Sequence, residues 1–284
     1  MFILTSIVIL AITMPLIFWL GPRPKLNARE RQTLVPKGLT PEELETWLYT
    51  EEAKEDNIVE GAEARIFWAD RPEKTEFCVL YIHGFSASRQ EISPVPEKIS
   101  AGLNANLVCA RLAGHGHIRK PMEASAEDWL QSVTDAWDMA ARIGRKVVII
   151  AVSTGAPLSI WLTQRSADNC KSHCLLFLSP NFQIRHRFGF ILTWPWARTW
   201  VPKLMGEERA WEPENELVAR YWSPRYSINA VIEMQKVVDW VQSTKLESHN
   251  IPLATLYMKD DPTINHDAAI AFHEAWRSNL KKLI

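Results

Sequence analysis

Lys146 to Leu162 read KVVIIAVSTGAPLSIWL. Val147 to Ala151 form an unbroken apolar run, the pattern of a strand buried on both faces of a parallel sheet. Ala151-Val152-Ser153-Thr154-Gly155 follows, and then a helix-compatible segment from Ala156 to Thr163. A serine between two small residues at a strand-to-helix switch predicts a tight turn that lifts the hydroxyl above the sheet. Such a turn leaves little room two residues to either side of the serine. The first small residue is Ala151 where glycine is usual, a departure of one methyl group. The helix that begins behind the turn favours negative charge at its N-terminus. Ser153 is therefore the candidate nucleophile.

Working outward, Phe77 to Ile82 (FCVLYI) predicts a strand that runs straight into His83-Gly84-Phe85. The glycine permits a sharp turn that presents an amide toward the serine. The expected oxyanion donors are the N–H of Thr154, which follows the serine, and the N–H of Phe85. Further strands are expected at Ala64–Ala69, Ala105–Arg111, Cys174–Leu178 and Pro252–Met258, with a last one starting near Leu280. Ser125 to Gly144 predicts a helix, capped by Ser125 and Asp128 and stopped at Gly144. Its Trp129, Val133 and Trp137 repeat every four residues, which is a packing stripe. Pro252–Met258 ends in Lys259-Asp260-Asp261-Pro262. A carboxylate there suits a triad acid that orients a histidine; Asp261 is the first choice and Asp260 the reserve.

Together these residues resemble the α/β-hydrolase superfamily, in particular its monoacylglycerol lipase and lysophospholipase-like esterases. The resemblance covers about 64–284 and rests on His83-Gly84-Phe85, Gly114-His115-Gly116, the Ser153 elbow and Asp261 after a strand. It implies an α/β fold, with a mostly parallel central sheet, flanking helices and a Trp-rich cap over about 182–235. It also implies a serine hydrolase that cleaves carboxylic esters, with acyl-chain or lysophospholipid-like substrates and no cofactor. The family's base is a histidine in the loop after the last strand, and the sequence ends before that loop. His266 and His273 fall in the preceding helix, and only His266 is near Asp261 in sequence. The expectation is thus a chain cut short of its triad histidine. A hydrolase fold used for binding alone is the other reading, and a peptidase or thioesterase on the same elbow is a third.

The 284 residues carry 32 basic and 33 acidic side chains, net charge −1, with no basic stripe of the kind nucleic acid requires. His83, His115 and His117 lack a carboxylate or cysteine at ligand spacing, which argues against a metal. Cys78 and Cys109 sit in apolar runs as free buried thiols, whereas the Cys170–Cys174 spacing leaves pairing open. Met1 to Gly21 carry no charge, which predicts a membrane-crossing anchor over 1–22. The basic residues Arg23, Lys25, Arg29, Arg31 and Lys37 would keep the globular part on the cytoplasmic side. Residues 23–62 are expected as a linker and an N-terminal helix, with Thr40-Pro41-Glu42-Glu43 as its start and Leu44, Trp47 and Tyr49 as its packing face. Residues 63–284 are expected to form the α/β-hydrolase domain. Thirteen tryptophans are present, five of them between Trp194 and Trp222, where they are expected to line an acyl pocket.

Overall fold

The computed structural model describes residues 13–119, 121–165, 172–245 and 250–284. Residues 13–19 are helical (α1), followed by a turn at Leu20. Among the described residues no helix is long and apolar enough to cross a membrane. The crossing helix expected over 1–22 is therefore not supported, because the described part is two turns long; the rest, residues 1–12, lies outside the described residues. The expected linker is also corrected. Residues 22–34 run without helix or strand as a strap with Leu26 buried, followed by Val35, also buried. Asn27 N–H donates to the Glu127 carboxylate at 2.8 Å, Leu34 N–H to Asp135 at 2.7 Å, and the Trp161 indole N–H to Ala28 O at 3.0 Å. Leu26, Val35, Leu44 and Leu48 all belong to the main core cluster, so the strap is part of the domain.

Helix α2, Pro41–Glu52, starts as its sequence predicts: Thr40 accepts the Glu43 N–H and Glu43 accepts the Thr40 N–H. Leu44 and Leu48 make its buried face, while Tyr49 is exposed. Spacing of four keeps Leu44 and Leu48 on one side and turns Tyr49 away.

The sheet is built from β1 (Arg65–Phe67), β2 (Thr75–Ile82), β3 (Asn106–Cys109), β4 (Gly144–Val152), β5 (Ser172–Leu178), β8 (Leu253–Leu256) and β9 (Lys281–Leu283). Their spatial order is β1-β3-β2-β4-β5-β8-β9. Only β1 runs antiparallel to its neighbour. Between them come α3 (Val95–Gly102), α4 (Ala126–Ile143) and α5 (Gly155–Thr163). Side chains alternate across the pleat. Cys78, Leu80, Ile82, Val147, Ile149 and Ala151 pack with α4 and α5 in one large core. Val79, Tyr81, Leu107, Ile150 and Val152 form a smaller core on the other face. There Val148, Cys174, Leu176 and Leu178 stay half-buried. Cys78, Cys109 and Cys174 are free thiols; Cys170 lies outside the described residues.

Between β5 and β8 the chain leaves the βα rhythm, where the sequence expects a cap. A 3₁₀ turn at Gly189–Thr193 leads to α6 (Ala197–Met205), and β6 (Glu208–Ala210) precedes α7 (Glu216–Tyr221). Then β7 (Arg225–Ser227) pairs with β6 and leads into α8 (Ile228–Ser243). Leu192, Ala197, Val201, Ile228 and Ile232 form a core of their own. Helix α8 passes through the expected cap boundary at 235, and its Val237 and Val241 join the main core.

A buried ion cluster ties α8 to α4. Lys236 Nζ bonds Glu127 and Glu233 at 2.7 Å each, Ala126 N–H donates to Glu233 at 2.8 Å, and Arg198 of α6 completes it. Removing one partner of such a group leaves an uncompensated buried charge. Lys236→Met is expected to cost about 3 kcal/mol by urea unfolding. A loss under about 1 kcal/mol would mean that the cluster is screened like a surface pair.

Candidate active site

Ser153 stands at the C-terminal end of β4 with φ 48°, a left-handed conformation that L-residues rarely adopt. Two bonds hold it there: its N–H donates to Leu178 O and its C=O accepts the Asn181 N–H, both at 3.0 Å. Strain fixed this way is typical of functional positions. Gly155 explains the small-residue requirement. A Cβ there would lie 2.4 Å from Ile82 O and 2.9 Å from His83 O. Ala151 is fully buried in the core, so its one methyl group is accommodated. Ser153 itself is half-buried, and α5 begins two residues later.

The His83-Gly84-Phe85 loop faces this turn. A Cβ on Gly84 would lie 3.1 Å from Ser153 Cβ, which is the close approach expected of that glycine. His83 is buried; its Nε2 accepts the Leu112 N–H at 3.1 Å and its Nδ1 lies 2.9 Å from Gly84 O. One neutral tautomer satisfies both bonds, with Nδ1 as donor. Burial holds its pKa down to about 4. The His115 ring packs against His83, Phe85 and Trp129, and burial pushes its pKa well below the ordinary value. Both rings are spent on packing and on bonds to the backbone. Among the described residues no group of His, Cys, Asp or Glu is arranged to hold a metal.

The neutral imidazoles carry a sign for stability. The folded state resists protonation that the unfolded chain accepts, so stability is full above the unfolded pKa near 6.5 and falls as pH drops toward 4. The melting temperature of wild type is expected to fall below pH 6.5, and less steeply in His83→Gln. Parallel curves would remove His83 from that account.

Neither the Phe85 N–H nor the Thr154 N–H donates a hydrogen bond among the described residues. Both predicted oxyanion donors thus stand beside the serine with their protons unclaimed. Thr154 is buried and its Oγ1 accepts from Asn181 Nδ2 at 3.3 Å. Asn181 sits just after β5, and its Oδ1 is buried without a partner.

Asp261 lies beyond β8, on the same sheet edge as Ser153: Ser179 N–H bonds Leu256 O, one strand over from the Ser153–Leu178 bond. Asp261 is buried, whereas Asp260 is exposed. Its Oδ1 accepts the N–H groups of Thr263 and Ile264 at 2.8 and 2.9 Å, and Arg185 grips its carbonyl at 2.6 Å. No base joins it. His266 stacks on Tyr257 and pairs with Asp267, while His273 is buried against Thr255 Oγ1 at 2.9 Å. Among the described residues no side chain hydrogen-bonds the Ser153 hydroxyl.

Four contacts around the oxyanion loop carry no signal in the sequence. Glu91, eight residues past His83, bonds the Gly84 N–H at 2.8 Å and the Tyr81 hydroxyl at 3.2 Å. Tyr226 of β7 stacks edge-on against Phe85 at 5.1 Å, and Ser223 N–H bonds Ser86 O at 2.7 Å. The segment expected as a cap therefore does reach the oxyanion loop. Two of its tryptophans pack away from that loop: Trp194 against Trp19, Trp200 against the α6 core. A cavity of about 810 Å³ opens beside α2 and α4, with Trp47, Glu52, Arg111 and Asp135 among its walls. It takes no residue from the elbow or the oxyanion loop.

The model of the Alpha/beta hydrolase family matches residues 79–281. No curated protein matches the chain by sequence. Among solved structures it is similar to one from work on LipS and LipT, two metagenome-derived lipolytic enzymes. That match has 16% identity and TM-score 0.64, over 80% of this chain and 88% of the other. It is also similar to the monoacylglycerol lipase of Paleococcus ferrophilus, at 14% identity and TM-score 0.58, over 78% and 86%. A soluble variant of monoglyceride lipase from Saccharomyces cerevisiae, in complex with a substrate analog, matches at 12% identity and TM-score 0.53, over 78% and 80%. At these identities the likeness is one of fold.

Proposed function

The chain belongs to the alpha/beta hydrolase family, and from that membership we propose that it is a serine hydrolase acting on carboxylic esters with an acyl chain. The observation that supports this reading is Ser153, held at φ 48° at the strand-to-helix turn, with the Thr154 and Phe85 amides free of hydrogen bonds among the described residues. Ser153 Oγ attacks the ester carbonyl, forming the Oγ–C bond as its proton passes to a base. The carbonyl electron pair moves onto oxygen, where the Phe85 and Thr154 N–H groups receive it. Collapse expels the alcohol and leaves an acyl-enzyme, which water then cleaves. Asp261 orients the base and stabilises its charged form. The solved lipases named above support an acyl substrate by analogy of fold.

A panel of p-nitrophenyl esters from acetate to laurate tests this. Turnover that depends on acyl length supports the reading; none at any length, with folded protein, contradicts it. The second reading is a binding protein on this fold, favoured by the unbonded Ser153 hydroxyl, since a serine without a base is a weak nucleophile. It predicts acyl-chain binding without turnover.

The apolar N-terminal run is proposed as a membrane anchor with the domain on the cytoplasmic side. Trp19 packs on Trp194 and Trp196 N–H bonds Pro22 O at 2.7 Å, which joins α1 to the cap. Alkaline carbonate extraction should leave the full chain in the membrane pellet and release a chain lacking 1–22. Release of both would contradict the anchor.

A further inference from the structure

Among the described residues Glu91 is the carboxyl group that hydrogen-bonds the oxyanion loop, and the reaction as described makes no use of it. Its Oε2 accepts the Gly84 N–H at 2.8 Å and the Tyr81 hydroxyl at 3.2 Å. Its Oε1 lies 2.8 Å from the place where a Gly84 Cβ would stand, and Ser153 Cβ lies 3.1 Å from that same place. The carboxyl group and the nucleophile thus flank one backbone position. Two consequences follow. Taking up the Gly84 amide fixes the His83–Gly84 peptide, one residue before the peptide that carries the Phe85 N–H. A negative charge at this place would oppose the oxyanion that forms on the adjacent ester oxygen.

We propose that Glu91 is a positioning residue of the oxyanion loop, holding the Gly84 amide so that Phe85 is presented to the developing charge, and that it does so as the neutral acid. This rests on the ester-hydrolase reading above. The titratable group in contact with it is Tyr81 of β2, on which Cys109 of β3 and Glu97 of α3 act in turn. Among the described residues no cation pairs with Glu91. Burial raises its pKa to about 7, against the pull of the Gly84 and Tyr81 hydrogen bonds. A protonated carboxyl still accepts both bonds through Oε2 and adds no charge.

The test compares wild type, Glu91→Gln and Glu91→Ala in p-nitrophenyl butyrate hydrolysis from pH 5 to 9. Glutamine keeps an acceptor and stays neutral. Wild-type kcat/KM is expected to fall about tenfold per pH unit above pH 7, and that of E91Q to hold level. E91A is expected to lose about 100-fold in kcat at every pH with KM little changed. Superimposable profiles for wild type and E91Q, or an E91A kcat equal to wild type, would overturn the proposal. Melting temperature supplies an arm that needs no turnover. A carboxyl raised in the folded state loses stability as pH climbs from its unfolded value toward 7, so the advantage of E91Q over wild type should grow from pH 4 to pH 8. A constant difference would overturn the neutral-acid claim even if wild type hydrolyses no ester, a result that would count against the ester reading separately.

Discussion

Ser153→Ala is expected to drop ester hydrolysis by about four orders of magnitude or more, to the background of the buffer. Both residues carry a Cβ at φ 48°, so the backbone strain is common to both and the fold should survive. The bonds that hold the elbow, to Leu178 O and from Asn181 N–H, are made by the main chain and do not involve the hydroxyl. What disappears is the atom that forms the acyl-enzyme. Unchanged turnover in S153A, with an intact circular dichroism spectrum, would place the reaction elsewhere in the molecule. Since no base hydrogen-bonds Ser153 among the described residues, this variant also separates catalysis by the serine from catalysis by general polarisation in the oxyanion site.

Gly155→Ala is expected to destabilise the domain by about 3 kcal/mol and to cost about 100-fold in kcat/KM. The added methyl group would meet Ile82 O at 2.4 Å and His83 O at 2.9 Å. Both are backbone atoms at the end of β2, in the middle of the sheet, and they cannot swing aside as a side chain does. Relief requires α5 or the His83-Gly84 segment to move, and either shift carries Ser153 or Phe85 out of register with the other. Gly102→Ala is the control: a Cβ there meets nothing within 4 Å, so its unfolding midpoint should equal or exceed that of wild type. Equal stability in both variants would show that the elbow is slack rather than tight.

Local chemistry made much of this molecule legible in its sequence. The apolar run before Ser153, the strand running into His83-Gly84 and the Ser125–Asp128 cap each state their structure within a few residues, and all three are observed. What the sequence conceals depends on distant partners. Residues 23–39 look like a linker because prolines and charges dominate them, yet Trp161, Glu127 and Asp135 fasten them from more than 90 residues away. Tyr49 reads as part of an apolar face and is exposed, because α2 buries a narrow stripe made by Leu44 and Leu48. Glu91 looks like one more surface acid, and its partner is an amide seven residues back that only the folded turn presents. The tryptophans between 194 and 222 read as pocket lining from composition alone. Their neighbours show instead that several hold the cap together and join it to α1.

The central claim is that Ser153 is the nucleophile. Labelling of the folded full chain with a fluorophosphonate, read by peptide mass spectrometry, tests it most directly. The account predicts a single modified peptide carrying Ser153, and no modification in S153A. A folded chain that stays unlabelled, or carries the label on another residue, would contradict it.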